Sequence, residues 1–225
     1  MSAGAGEGPI PIPIRVGRPR ADRLRPRSDR PPREELLCAA AELFTAHGYA
    51  ATTTRAVAER AGMRQATMYH YFGGKEDLLA ELLESTVAPS LVLARRLLAD
   101  TGRPAARRLW ELCRSDVLLL CGGPYDLGAL YLLPEVAGAR FGRFRRMRGE
   151  LKDAYRMLLD GTGARAELAG DGSALALRND LVFGLIEGVM LIHRADPQRP
   201  VTVFAEATAD AALRIAGAAG RPDTP

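Results

Sequence analysis

Cysteine, histidine, aromatic side chains and long apolar runs are all scarce in this chain, and each scarcity closes off a class of protein. Its 225 residues include three cysteines, Cys38, Cys113 and Cys121, an odd number without paired spacing. That pattern suits neither a secreted disulfide framework nor a zinc site, and it implies a reducing, cytoplasmic setting. The three histidines, His47, His70 and His193, are far apart, so neither a metal site nor a cofactor is expected. Aromatics make up 6% of the chain, and β-branched residues are few beside Ala and Leu, which favours helix over sheet. No run reaches the roughly 20 apolar residues of a bilayer crossing. Glu187 interrupts the best candidate, between Leu181 and Ile192, so no membrane is expected as a partner. The opening, MSAGAGEGPIPIPI, lacks the charged-then-apolar order of a secretion signal. Motifs of catalysis are missing too. There is no Walker A sequence, no dinucleotide glycine pattern after a strand, no His-Glu-x-x-His and no nucleophile elbow, so an enzyme is not expected.

What is present is 47% hydrophobic and 26% charged residues, the balance of a soluble globular protein with one large or two small domains. The charge is unevenly placed. Residues 1 to 33 hold eight arginines against Glu7, Asp22 and Asp29, an excess larger than the whole chain's net +4. Residues 1–31 are also rich in Pro and Gly, and they are expected to form a disordered basic arm with affinity for polyanions. Within it Gly17-Arg18-Pro19-Arg20 resembles part of an AT-hook, which would put Arg18 and Arg20 in a DNA minor groove. The alternative is a solvated low-complexity leader.

Helical order is expected from about Pro31. Two prolines precede Glu34 and Glu35, which suit the positive end of a helix dipole. Leu37, Ala40, Ala41 and Phe44 follow at helical spacing, and Gly48 supplies a stop. In Thr52-Thr53-Thr54 a hydroxyl can cap a second helix, about Thr54 to Ala61, with Val57, Ala58 and Ala61 inward. Gly62 permits a tight turn into a third helix, about Gln65 to Tyr71. Two short helices joined by a glycine turn behind a longer one form a helix-turn-helix with its support, residues 32–78.

The series Gly48-Tyr49, Thr52-Thr53, Val57-Ala58, Ala61-Gly62, Thr67-Met68-Tyr69-His70-Tyr71-Phe72 and Lys75-Glu76-Asp77-Leu78-Leu79 resembles the DNA-binding domain of TetR/AcrR-family transcriptional regulators. The resemblance implies an all-α homodimer whose N-terminal domains enter successive major grooves. It also implies a divergent C-terminal domain that binds a small-molecule effector and alters the spacing of the readers. Gln65, Ala66 and Thr67 open the third helix and would meet base edges, with Gln suited to adenine and Ala or the Thr methyl to thymine. Arg55 resembles a family position that can reach guanine, although an exposed arginine that binds phosphate or nothing is an equal reading. Tyr69, His70, Tyr71 and Lys75 are candidates for phosphate or base-edge contacts, and Thr53 is first a cap and second a phosphate contact. Arg64 stands where the family usually has a small polar cap, adding a cation near the DNA backbone.

Residues 79–218 read as a helical ligand-binding and dimerisation domain, with 219–225 as a tail. Pro89 should kink or interrupt a long helix from Lys75 to about Ala99. Further helices are expected at about Ala105–Cys121, Asp126–Val136 and Ala139–Leu159. The arginines of the last, at 140, 143, 145, 146 and 148, read as a solvated face. A glycine-rich loop follows, Asp160 to Gly172. Ser173 is expected to cap a helix carrying Leu177, Leu181, Leu185, Gly188 and Ile192 on one face. A final helix carries Phe204, Thr208, Ala211, Ala212 and Ile215. These last two helices are assigned to the homodimer interface, which would place two readers on a near-palindromic double-stranded operator; the alternative is that their apolar faces complete the monomer core. Candidate effector contacts are Trp110, Cys113, Tyr125, Tyr131, Phe141, Met147, Tyr155 and Phe183, around an apolar or weakly polar molecule. The leading expectation is a repressor released from its operator by that ligand. The rivals are an architectural protein that binds DNA through its Arg-rich arm and a regulator that responds through Cys113 and Cys121. Those two cysteines lie about 12 Å apart along one helix, too far for a disulfide.

Overall fold

The computed structural model describes residues 30–164, 171–196 and 198–218. The arm with Arg18 and Arg20, and the 219–225 tail, lie outside them. The described residues contain helices and turns and no β-strand.

Helix α1, Pro32–His47, begins on Pro31 and Pro32, carries Glu34 and Glu35 in its first turn, and stops at Gly48, whose φ of +85° favours glycine. Its buried face is led by Leu36, with Leu37 half-buried at its edge. Helix α2, Thr54–Arg60, is capped by Thr53 Oγ1, which accepts from Ala56 N at 3.1 Å. Gly62, at φ +71°, turns the chain into α3, Gln65–Tyr69, two residues shorter at its end than the sequence suggests. Phe44, Val57, Ala58, Met68 and Phe72 close the core of this three-helix unit, and Tyr49 meets Phe44 edge-on with ring centroids 5.0 Å apart.

Helix α4, Lys75–Ala99, is one 25-residue element, about 37 Å long at 1.5 Å per residue. It starts under the three-helix unit and ends in the larger domain. Pro89 lies inside it without interrupting it. One turn earlier the Ser85 and Thr86 hydroxyls donate to the Leu82 and Leu83 carbonyls, each at 2.7 Å. Helix α5 spans Ala105–Cys121. Where a helix over 126–136 was expected, three 3-10 turns follow one another, Leu127–Leu132, Pro134–Ala137 and Ala139–Phe141. Pro134 cannot donate a backbone bond, and Asp126 ties off the first turn by accepting from Ala129 N at 3.3 Å. Helix α6 therefore starts at Gly142 and runs to Leu159, followed by a turn at Asp160–Ala164.

Helix α7, Gly172–Ala195, is capped by Asp171 rather than Ser173, the carboxylate accepting from Ser173 N and Ala174 N at 2.8 and 3.3 Å. Helix α8, Val201–Ile215, follows Pro200 and packs along α5 and beside α7. Phe204, Thr208 and Ala212 are buried there, with Ala211 and Ile215 half-buried, so the face assigned to the dimer completes the monomer core instead. On α7 the expected stripe is bare. Leu177 is 61% exposed and Leu181 53%, Ile192 is exposed and Leu185 half-buried, while Val182, Phe183, Ile186 and Val189 face the core. Gly184 and Gly188 adjoin this stripe, and a Cβ added at either would meet nothing within 4 Å.

Candidate functional site

Three adjacent threonines before and at the start of α2 take three different tasks. Thr52 is buried and donates to Gly48 O at 2.8 Å, Thr53 caps α2, and Thr54 turns toward α3. Gln65 Nε2 donates to Thr54 Oγ1 at 3.0 Å, and the Tyr69 hydroxyl lies 3.3 Å from the same oxygen. Thr54, Gln65 and Tyr69 therefore form one polar patch spanning both short helices. Thr54 is absent from the residues singled out in the sequence; its position one residue after the cap, where a first-turn side chain faces the next helix, was the available signal. Arg64, Gln65, Ala66, His70 and Tyr71 are also exposed around this patch, Thr67 is half-buried, and Met68 anchors α3 inside. Tyr69 is 50% and Tyr71 41% exposed, so both rings are available to a partner at this patch. Arg55 lies in an exposed pair with Glu59 at 2.8 Å. Arg64 precedes α3 without capping it.

Lys75 differs from the simple phosphate contact read from its position. Its ammonium donates to Tyr49 O at 2.8 Å and Ala50 O at 3.4 Å, and sits 4.2 Å from the Tyr49 ring centre. Two of its three N–H donors hold the loop before α2, which leaves one for an anion.

In the larger domain a cavity of about 600 Å³ opens between the 126–137 turns, α6 and α7, lined by Tyr131, Leu133, Val136, Phe144, Arg145 and Met190 among others. Behind it lies a cavity of about 20 Å³, walled by Thr86, Ser90, Asp116, Leu151, Phe183 and Ile186. Tyr131, Arg148 and Glu187 line both. Of the candidate effector residues, Tyr131 and Phe183 stand at these cavities and six do not. Cys113, Phe141 and Tyr155 are core residues, and Met147 is half-buried against the core. Trp110 donates to Asp210 on α8 at 2.7 Å, and Tyr125 is half-buried near Glu42 of α1.

Of the arginine run, Arg140, Arg143, Arg145 and Arg146 are exposed, as expected of a solvated face, yet four of the five also tie α6 and the turn before it to their surroundings. Arg140 donates to Asp77 at 2.5 Å, Arg143 pairs with Glu84 at 2.9 Å, and Arg145 donates to Val136 O and Gly138 O at 2.6 and 2.7 Å. Arg148 makes a two-pronged pair with Glu187 and lies over the Phe183 ring. Such partners sit far away in sequence, which is why the spacing of the run did not reveal them.

Asp116 is the chemically unusual group. It is 3% exposed, its Oδ2 accepts from the Tyr155 hydroxyl at 2.6 Å, and its Oδ1 has no hydrogen-bond partner. Burial pushes its carboxyl up to about 6, against the opposing pull of the Ser90 and Tyr155 hydroxyls. Tyr131 rises to about 12 by burial. The same cause raises the Cys113 thiol and takes Cys121 up to about 11, so both rest as thiols, a poor state for a redox sensor. No group of three metal-ligating side chains occurs among the described residues, nor any helix long and apolar enough to cross a membrane.

Contacts lead from the cavity wall to the helices that support the α3 patch. Turn 127–132 forms one wall of the cavity and packs on α1 and α4, and the Arg140–Asp77 pair joins the start of α6 to the start of α4.

The family profile described as bacterial regulatory proteins, tetR family, matches residues 36–82. The crystal structure of Mycobacterium smegmatis AmtR is 43% identical over 87% of this chain and 91% of that one, with a TM-score of 0.77. The HTH-type transcriptional repressor KstR2 of Mycobacterium tuberculosis is 36% identical over 75 residues, 33% of this chain and 38% of that repressor's length. The fatty acid metabolism regulator protein of Bacillus subtilis is 26% identical over 162 residues, 70% of this chain and 81% of that protein.

Proposed function

Since the chain belongs to the TetR family of bacterial regulatory proteins, we propose that it is a homodimeric, cytoplasmic transcriptional repressor that leaves its operator when a small molecule fills the 600 Å³ cavity. The observation that carries the reading is the exposed Thr54–Gln65–Tyr69 patch, a side-chain set built to enter a major groove and held in place before any DNA arrives. Regulation rather than catalysis is the role assigned. Gln65 with Ala66 and Thr67 reads base edges; Thr53, Arg55, Arg64, Tyr69, His70, Tyr71 and the remaining donor of Lys75 hold phosphates.

The bare α7 stripe supports the dimer. A glycine inside a helix costs about 1 kcal/mol relative to alanine, and within one chain neither Gly184 nor Gly188 is needed to make room for a neighbour. A second copy of α7 crossing closely beside Gly184 accounts for that glycine, whereas Gly188 also borders the cavity and leaves room there. Two readers about 34–36 Å apart would then meet successive turns of a near-palindromic site. The 126–137 wall supports the response, because a ligand that displaces it pushes on α1 and α4 and changes reader spacing. Any affinity difference between the two arrangements becomes a change in operator affinity. The names of the KstR2 repressor and the B. subtilis fatty acid regulator favour repression and an effector with an apolar body.

Genome-wide mapping of bound sites, followed by mobility shifts on those sites and on scrambled duplexes, tests the reading. A preference of about 10³-fold for mapped sites is expected. Equal affinity for scrambled DNA would replace the repressor with an architectural binder.

A further inference from the structure

The inner cavity differs in chemistry from the outer one. Its walls carry two carboxylates, Asp116 and Glu187, and one guanidinium, Arg148. Arg148 is already matched by Glu187 in a two-pronged pair. Arg145, the other cation on the outer wall, is tied through Nη1 to two backbone carbonyls, Val136 O and Gly138 O, and does not line the inner cavity. Asp116 is the group left over: its Oδ2 accepts from Tyr155, its Oδ1 makes no hydrogen bond although the Ser90 hydroxyl on the same wall steadies the carboxylate, and the residue is only 3% exposed. A buried acceptor without a donor is costly and calls for a positive or hydrogen-bond-donating guest. The space, about 20 Å³, admits roughly one group the size of a water molecule. A carboxylate or phosphate is too large for it and has the wrong charge beside Asp116.

We propose that the inner cavity is the head-group site of the effector pocket and takes a primary ammonium on the Asp116 carboxylate, with the ligand's apolar body in the outer cavity. The inference rests on the effector reading above and narrows it to long-chain or otherwise amphipathic amines. Tyr131, lining both cavities, lies at the junction of head and body, and Leu133, Val136, Phe144 and Met190 are the surfaces for the apolar part. The Thr86 and Tyr131 hydroxyls are already bonded to each other, so Asp116 supplies the charge that selects the head group.

Isothermal titration of the intact dimer, without DNA, with n-octylamine, 1-octanol and octanoate isolates the head group at constant chain length. Octylamine is expected to bind about ten-fold or more tightly than octanol, with octanoate weakest. Asp116→Asn should remove that advantage while octanol affinity stays within about two-fold. Should that variant fail to fold, Ser90→Val, which fills the inner cavity, is expected to give the same loss. Equal binding of amine and alcohol, tighter binding of octanoate, no binding of any of the three, or a preference that survives both substitutions would overturn the proposal. Operator binding is measured separately: a chain that ignores DNA yet prefers octylamine defeats the repressor reading alone, and one released from DNA by an anionic effector defeats the head-group site alone.

Discussion

Asp116 also has a thermodynamic signature. Its folded value near 6 stands above the usual 3.8, so the folded chain binds this proton more tightly than the unfolded chain does. The protonated group carries no penalty below about pH 4, and a penalty grows as pH rises through 6, reaching about 2 to 3 kcal/mol. Asp116→Asn is therefore expected to stabilise the unliganded protein at pH 8 and to lose most of that gain near pH 4.5. Urea melts of both proteins at the two pH values measure the difference; a constant gap would mean that burial does not govern this carboxyl. In the reader, Gln65→Ala should weaken binding and relax base preference, whereas Tyr69→Ala should weaken binding to every sequence alike. Lys75→Ala should do the same and also cost about 1 kcal/mol of stability, because its ammonium holds the Tyr49 and Ala50 carbonyls. Mobility shifts on specific and random duplexes, with thermal melts alongside, separate these effects.

At the level of elements, the local rules carried far where partners lie close in sequence. Pro31 and Pro32, the Thr53 cap and the glycines at 48 and 62 set the limits of α1 and α2 within a residue or two, because each acts on the backbone beside it. The same rules failed where distance matters. The region 126–141 has helical spacing, yet Pro134 and packing against α1 and α4 divide it into short turns that make a cavity wall. The second task of Lys75, holding the Tyr49 and Ala50 carbonyls, is visible only once α4 is placed beside the loop before α2, and Asp116 is one acid among many until its burial is known. The stripes of α7 and α8 had opposite fates because periodicity shows that a face is apolar, not what covers it. For α7 the expected outcome of Leu181→Glu or Gly184→Glu is a folded monomer. Light scattering should show half the mass with unchanged helical circular dichroism; a dimer that persists would move the interface elsewhere.

For the whole molecule, the arm and the two domains separate their contributions by salt. Removing residues 1 to 30 is expected to leave the melting temperature unchanged and to lower DNA affinity more at 50 mM than at 300 mM salt, as loss of counterion-releasing arginines requires. A truncated chain that fails to fold would show that the arm is part of the core. Arg140→Ala should leave both DNA affinity and ligand affinity close to those of the parent while reducing the effect of one on the other, because the Asp77 pair joins cavity side to reader side. Fluorescence anisotropy on labelled operator with and without effector reads that linkage directly.

The continuous α4 sets a limit on engineering. Its first residue steadies the loop before the DNA reader, and Thr86 and Ser90, three and four turns on, wall the inner cavity. A hybrid spliced at 78/79 would cut through the rod that serves both halves and leave two mismatched stubs. Exchange of specificities between such proteins must either keep the junction beyond Ala99 or trade single side chains on α3, which makes the reader an inseparable end of a longer beam rather than a portable cartridge.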